Sequence, residues 1–378
     1  MFASFLAVTV SASLGSAQPA PGGFLVLEAQ GLRSSAFPVG VLTGAEAGIL
    51  QLRSTTLLVP GFPKEAHAIL ANGDRVCGRI AGGDARRFLL KTPYAAADAS
   101  IPVSRTAAVW WVGPAEELPA DPARYPFLAG PKRDSILLAD RDVRGGLIER
   151  IGADGLTLRR DDKAEAIAAE QLRAVVFDPS LQRDRKPAGA AVKATLRDGS
   201  RLTFGDLTSD GKTLTGKTVW GASLAIPAGD VCTLERLGTP GAELEAALTI
   251  EPYFGAGLVP SANRTPDGRL FRLPSWGVVD RGYRLPAGST ATFKLDGKFR
   301  KWHAHFGIES DAHGSAEVRV DLDGKALPVN DGTPLLPGTL VAAAFDVSGG
   351  KELRVRIVVG RVGNAQARVV LAAPFAVE

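Results

Sequence analysis

The sequence predicts an all-β protein in which tandem small β-barrels precede an antiparallel jelly-roll β-sandwich. Gly (43 residues) and Pro (25 residues) punctuate short apolar runs throughout the 378-residue chain. Such punctuation indicates many turns and few long helices. A short β pattern also occurs three times before residue 240, and longer β runs replace it afterwards. Repetition at this spacing predicts an array of small structural units.

The first 17 residues have the pattern of a secretory signal peptide. An apolar stretch leads to small residues around Gly15 and Ala17, and we expect cleavage after Ala17. No basic residue precedes Phe5, so a membrane anchor is an alternative, although the stretch is short for a bilayer span. No later apolar run is long enough for a transmembrane helix. The predicted location is therefore secreted or periplasmic.

The repeated pattern predicts three barrels before the C-terminal part of the chain. We assign residues 18–112 to a first barrel with N-terminal strands, 133–177 to a second, degenerate barrel, and 192–237 to a third. Residues 24–60 are either a fourth, divergent copy or a strand pair that completes the first barrel. The segments from Gly113 and from Asp178 are rich in Pro, Ala and charge, which predicts exposed linkers.

Tight hairpins open the first and third repeats. N-G at Asn72 and Gly73 and D-G at Asp198 and Gly199 are turn sequences that use positive φ. A five-stranded unit of about 45 residues buries its inward side chains by curling into a small barrel. The strand order is similar to that of Sm-like small barrels in exported bacterial repeat proteins. This resemblance implies spacers or contacts with protein partners.

Residues 243–378 have longer β runs that predict a sandwich of about eight strands. The run W-G-V-V-D-R-G-Y from Trp276, the stretch from Ser289 to Ile308, and the segments from Ala316 and Phe345 resemble the NPCBM family of carbohydrate-binding modules. The resemblance implies a galactose-binding-like jelly roll that binds a glycan or cell-surface polysaccharide. One departure is R-G-Y-R-L-P from Arg281, where the family has a glycine-rich segment with a histidine.

The candidate ligand-binding residues are Trp276, Asp280, Arg281 and Tyr283. Sugars stack their C–H faces on aromatic rings, and their hydroxyl groups bind charged or amide side chains. Trp276 and Tyr283 fall in a predicted loop, where exposed binding groups are common. Trp302 is expected in the sandwich core instead. Trp110 and Trp111 are adjacent on a strand, so one should be buried and the other exposed or at an interdomain contact.

Metal ligation and catalysis have little support in the sequence. His303 and His305 lie on one face of a predicted strand, but two ligands do not complete a zinc site, and packing on a partly wet sheet face is expected. Asp321, Asp323 and Gly324 predict a hairpin turn more than a calcium loop. No nucleophile elbow, phosphate loop or acid–base pair stands out. We predict no enzyme activity, no cofactor and no metal.

Charge and cysteine content narrow the function further. The net charge is only +4, and the basic residues are scattered, which disfavours nucleic acid as a partner. Cys77 and Cys232 are expected to be buried free thiols, with a disulfide as the alternative.

The leading hypothesis is a non-catalytic exported binding or scaffolding protein that binds a glycan through its sandwich. The alternative is a structural assembly protein without a sugar ligand, with its sandwich docked on the barrels.

Overall fold

The computed structural model describes residues 24–28, 31–43, 49–63, 65–111, 133–182, 189–237, 241–242, 244–251, 259–359 and 367–378. Within these ranges the chain consists of β-strands joined by turns and short 3-10 helices, with no α-helix. The predicted all-β fold class is therefore confirmed. The predicted signal peptide and residues 113–132, which belong to the first predicted linker, lie outside the described ranges. In the part of the chain that is described, no helix has the length and apolar character needed to span a membrane.

Twenty strands precede the C-terminal region within the described ranges. The N-terminal segment contains β1 (Phe24–Glu28), β2 (Gly31–Ser35), β3 (Val39–Val41) and β4 (Ile49–Ser54). The first barrel contains β5 (His67–Leu70), β6 (Arg75–Cys77), β7 (Arg79–Gly83), β8 (Arg87–Lys91), β9 (Ala99–Pro102) and β10 (Thr106–Trp110). The second contains β11 (Asp134–Leu138), β12 (Val143–Gly152), β13 (Gly155–Arg160), β14 (Lys163–Ala168) and β15 (Leu172–Val176). The third contains β16 (Ala191–Leu196), β17 (Arg201–Asp210), β18 (Thr213–Thr218), β19 (Ser223–Pro227) and β20 (Val231–Leu237).

The C-terminal region adds thirteen described strands. They are β21 (Gly241–Ala242), β22 (Ala246–Ile250), β23 (Ser261–Ala262), β24 (Phe271–Leu273), β25 (Gly277–Val279), β26 (Gly282–Pro286), β27 (Ser289–Lys294), β28 (Lys301–Ile308), β29 (Ala316–Leu322), β30 (Lys325–Leu327), β31 (Leu340–Asp346), β32 (Glu352–Val359) and β33 (Arg368–Val377).

The three barrels share one pairing scheme. In the third barrel, β16 pairs with β17 and β20, and β17, β18 and β19 follow as an antiparallel meander. The second barrel repeats this order from β11 to β15. In the first barrel the second strand is divided into β6 and β7 at Gly78, where a Cβ atom would lie 2.5 Å from the carbonyl oxygen of Lys91. A 3-10 turn precedes the last strand of each barrel, at residues 103–105, 169–171 and 228–230.

The predicted hairpin turns form at both sites. Gly73 and Gly199 have φ values of 85° and 92°, and each donates its N–H to the carbonyl three residues before it. Only the glycine of each pair has a positive φ, because the three-residue loop places one residue in the left-handed region.

The N-terminal strands pair with the third barrel. Strand β4 lies between β1 and β20, and β3 pairs with β17. The expectation that a strand pair in residues 24–60 completes the first barrel is therefore wrong. Sequence proximity favours the first barrel, but β20 offers the edge at which β4 completes backbone hydrogen bonds.

The barrels contact one another directly. Strand β10 pairs with β15, so the first and second barrels share a continuous sheet. Between the first and third barrels, the buried Asp74 carboxylate accepts hydrogen bonds from the backbone N–H and the hydroxyl of Thr203. Buried apolar residues from all three barrels form one contiguous cluster. The three barrels therefore share one core instead of each having its own.

The C-terminal region is a sandwich of two antiparallel sheets. One sheet has the order β23-β26-β33-β28-β31, with β21 beside β33, and the other has the order β22-β27-β32-β29-β30. Phe293, Trp302, Phe306 and Phe345 pack between them. Trp302 is fully buried and stacks on Phe345 with ring centroids 6.0 Å apart, which confirms the prediction that it is a core residue.

The cysteines are both buried and unpaired. Burial raises the pKa of Cys77 and the pKa of Cys232 to about 12. The expectation of two buried free thiols is confirmed. Stability therefore comes from packing and hydrogen bonds, without a disulfide between these two residues.

Candidate binding site at the barrel–sandwich junction

A small apolar cluster lies at the junction between the third barrel and the sandwich. Its buried members come from the N-terminal segment, strand β20 and the sandwich: Val59, Cys232, Phe271, Leu273, Trp276, Val279, Val370 and Ala372. Val59 donates its N–H to the carbonyl of Trp276 at 2.7 Å, and Val278 donates to the carbonyl of Val59 at 2.9 Å. Gly277 has a φ of 87°, and a Cβ atom there would lie 2.2 Å from the Val59 carbonyl oxygen. The close approach of these two segments therefore requires glycine.

Trp276 belongs to this interface. It lies in the turn between β24 and β25 and is only 5% exposed. The guanidinium of Arg53 lies 4.2 Å from the centroid of its ring, and the His305 ring packs edge-on at 4.8 Å. The expectation that Trp276 is an exposed loop residue is therefore wrong, because the N-terminal segment covers its ring.

Asp280 and Arg281 form ion pairs with the third barrel. Asp280 pairs with Arg201, whose side chain is 7% exposed, and Arg281 pairs with Glu235 on β20. Burial acts to raise the pKa of Glu235, but the charge and hydrogen bond of Arg281 hold that pKa below its ordinary value. Both predicted ligand-binding residues are thus used to fasten the sandwich to the barrel.

The hydroxyl and the ring of Tyr283 both contact other residues of the sandwich. Its hydroxyl donates to the carbonyl of Leu244 and accepts from the N–H of Ala246, each at 3.0 Å. Its ring contacts Phe293 with centroids 5.6 Å apart. Burial raises the pKa of Tyr283. The hydroxyl is therefore already satisfied by the protein.

His303 and His305 lie on the face of β28 opposite Trp302 and Phe306, and both are buried. Burial lowers the pKa of His303 to about 4 and that of His305 to about 3. Their ring nitrogens have no hydrogen-bond partner among the described residues. The expectation of a partly wet face is wrong, because both histidines are buried and the Trp276 ring packs against His305.

Metal ligation finds no support in the described ranges, which contain no group of three candidate ligands. Glu309 instead binds Arg284 and Arg368. The Asp323 carboxylate accepts backbone hydrogen bonds from Lys351 and Glu352. The turn at Asp323 and Gly324 joins β29 to β30, which confirms the predicted hairpin.

A cleft of about 200 Å³ opens beside these contacts. Its barrel side consists of Leu50, Gln51, Glu235 and Arg236, and its sandwich side consists of Leu244, Glu245, Asn263, Arg281, Gly282, Tyr283, Ala373, Pro374 and Phe375. Two of the four predicted ligand-binding residues, Arg281 and Tyr283, therefore line a cleft. Trp276 and Asp280 lie in the interface and are not among its lining residues.

The sequence analysis did not identify the residues on the barrel side of the cleft. Gln51 and Arg236 are brought to the sandwich by the pairing of β4 with β20, between segments separated by more than 170 residues. Neither residue carries a motif that marks it as functional. Only the pairing of distant strands identifies them.

Among the comparisons with known proteins, only the comparison with solved structures found similar proteins. No family model matches the chain, and no curated protein sequence matches it. The CBM51 from the Clostridium perfringens GH95 protein, solved with methyl-galactose, is 14% identical, with a TM-score of 0.30 over 36% of this chain and 94% of that chain. CBM51-2 with the INT domains of C. perfringens ZmpB, solved with GlcNAc, is 15% identical, with a TM-score of 0.32 over 49% of this chain and 38% of that chain.

A third neighbour consists of the tandem CBM51 modules of a Streptococcus pneumoniae family 98 glycoside hydrolase. It is 12% identical, with a TM-score of 0.31 over 65% of this chain and 88% of that chain. Identities and TM-scores of this size do not transfer the ligands of these proteins to this chain.

Proposed function

We propose that this protein is a non-catalytic, exported binding protein that holds a glycan at its C-terminal sandwich, while the barrels fix the orientation of the sandwich. One observation carries the proposal. A cleft opens between the sandwich and the third barrel, and the side chains of Gln51, Arg236 and Glu245 on its walls make no hydrogen bond or ion pair with another described residue. Side-chain amides, guanidinium groups and carboxylates are the groups that bind sugar hydroxyls.

The ion pairs at the junction support the scaffolding part of this proposal. Arg201 and Asp280 join the third barrel to the sandwich, and so do Glu235 and Arg281. Backbone hydrogen bonds at Val59 add a second attachment. A sandwich held in this way presents its cleft in one orientation. The kinship with NPCBM modules and Sm-like barrels, the domain boundaries and the cleavage after Ala17 are part of the same proposal.

A structural assembly protein without a sugar ligand is the second candidate. It is favoured by the burial of Trp276, which removes the largest candidate stacking ring from solvent. In this case the sandwich docks on the barrels for stability, and the cleft is filled by water.

A glycan array probed with the full-length mature chain separates the two candidates. Reproducible signal for a defined set of glycans supports the binding protein. A blank array, obtained with protein that is shown to be folded by circular dichroism, contradicts glycan binding and favours the structural assembly protein. Replacement of the buried Trp276 is unsuitable as a binding test, because the substitution disrupts the junction.

A further inference from the structure

We infer that the junction cleft is the sugar site itself and that it takes one uncharged pyranose ring, bound jointly by the third barrel and the sandwich. This inference rests on the proposed function and assigns its location and ligand class. The cleft volume of about 200 Å³ lies below the range of about 300–1,000 Å³ that is typical for drug-sized ligands. A single sugar ring fits this size, whereas an extended oligosaccharide must leave the cleft.

The polar side chains of the cleft match hydroxyl groups. The Nε atom of Arg236 is buried without a hydrogen-bond partner among the described residues. Asn263 uses its side-chain oxygen to accept from the N–H of Gly282, so its amide N–H groups stay available. Glu245 contributes an exposed carboxylate and Gln51 an amide. Because a hydroxyl both donates and accepts, neighbouring sugar hydroxyls can use all four side chains.

The charge of the cleft favours a neutral ligand. Arg281 is balanced by Glu235 in an ion pair, and the remaining cation and anion are Arg236 and Glu245. The lining therefore carries two positive and two negative groups. An acidic sugar would bring its carboxylate near Glu235 and Glu245, and an amino sugar with a free ammonium would meet the two arginines.

Two residues on the sandwich wall of the cleft have strained backbone conformations, as residues at ligand-binding sites often do. Asn263 and Ala373 both have positive φ, of 60° and 47°. Ala373 is held there by an N–H hydrogen bond to the carbonyl of Arg281 at 2.9 Å. This left-handed backbone conformation is unfavourable for alanine by about 1 kcal/mol. This irregularity within β33 lies beside Pro374 and Phe375 on the cleft wall, where they offer an apolar surface to the C–H face of a sugar.

Calorimetric titration of the full-length mature chain tests this inference. The probes are the methyl glycosides of galactose, glucose, mannose and N-acetylglucosamine, with glucuronic acid and glucosamine as charged comparators. We expect one neutral glycoside to bind at one site per chain, and both charged sugars to bind at least tenfold more weakly. Arg236→Met and Glu245→Gln should each weaken binding at least tenfold. Glu245→Gln alters an exposed side chain, so folding should be unaffected.

A matched control is Arg319→Met on β29, because the Arg319 side chain is 59% exposed and is not among the residues that line the cleft. This variant should bind like the unmodified chain. If a neutral sugar binds but Arg236→Met and Glu245→Gln leave its affinity unchanged, the cleft is not the site, although the proposed function stands. Stronger binding of glucuronic acid or glucosamine overturns the assignment of a neutral ligand. If neither the titrations nor the array detect any sugar, the inference and the proposed function both fail.

Discussion

The seam between the first two barrels and the junction between the third barrel and the sandwich differ in how much of the contact is made by backbone pairing. At the seam, β10 and β15 pair through their backbones, and a small residue lies opposite a larger one in two pairs, Ala108 with Val176 and Ala174 with Trp110. At the junction, the described backbone pairing is an isolated bridge between Val59 and Gly277, arginine side chains form the ion pairs, and a cleft remains. Backbone pairing brings two sheets to a fixed strand spacing and leaves no room for a ligand. A side-chain interface leaves such room, so binding is expected at the junction.

The largest expected effect comes from placing a charge in the seam. Ala108 is fully buried on β10 and lies opposite Val176. Ala108→Glu buries a carboxylate without a partner, and we expect a loss of about 4 kcal/mol in the free energy of unfolding. Urea denaturation followed by fluorescence measures this change.

The control for the seam is Ala164→Glu on β14, where the side chain is exposed. We expect a change within about 0.5 kcal/mol in this variant. A loss below about 1 kcal/mol for Ala108→Glu would mean that water reaches the seam, and the contrast with the junction would disappear.

Breaking the ion pair at the junction should have the next largest effect. Asp280→Ala leaves the guanidinium of Arg201 buried without its carboxylate, and we expect a loss of about 3 kcal/mol in the free energy of unfolding. The double variant Arg201→Met/Asp280→Leu should recover most of this loss, because it removes both charges. Equal destabilisation in the single and double variants would contradict a dominant role for the unpaired charge.

Acid should weaken the junction through His305. Burial lowers the pKa of this histidine to about 3 in the folded protein, against an ordinary value of 6.5. At His305 the unfolded chain therefore binds one more proton between these values, so the contribution of this residue to stability is complete above pH 6.5 and is lost as the pH falls towards 3. His305→Gln should reduce the slope of stability against pH by about 1.4 kcal/mol per pH unit in this window.

Denaturation series at pH 7, 6 and 5 measure that slope. The exposed His313→Gln is the matched control and should preserve the slope of the unmodified protein. An unchanged slope in His305→Gln would show that His305 is accessible to protons in the folded state, and that the junction is wetter than its burial indicates.

The smallest expected effect is at Tyr283. Tyr283→Phe removes the hydroxyl that bridges Leu244 and Ala246 but keeps the ring against Phe293. We expect a loss of about 1 kcal/mol, since one backbone N–H and one carbonyl lose their partner at a partly buried site. Thermal unfolding measures this change. A loss near zero would mean that water replaces the hydroxyl.

Local features of the sequence predicted much of the fold. Alternating apolar residues predicted the strands, the glycines at 73 and 199 predicted the hairpins, and the size of Trp302 predicted its place in the core. The candidate site was only half predicted. Arg281 and Tyr283 do line the cleft, but Trp276 and Asp280 contact the barrel side, and Arg236 had no signal of its own.

The sequence by itself determined the all-β character and the turns, because backbone dihedral preferences and side-chain alternation act over a few residues. Tertiary structure alone decided that β4 joins the third barrel and that Trp276 is covered by Arg53. Those contacts join residues more than 170 positions apart. Local patterns do not encode which surfaces meet, since the choice depends on the burial and charge pairing available across the whole folded chain.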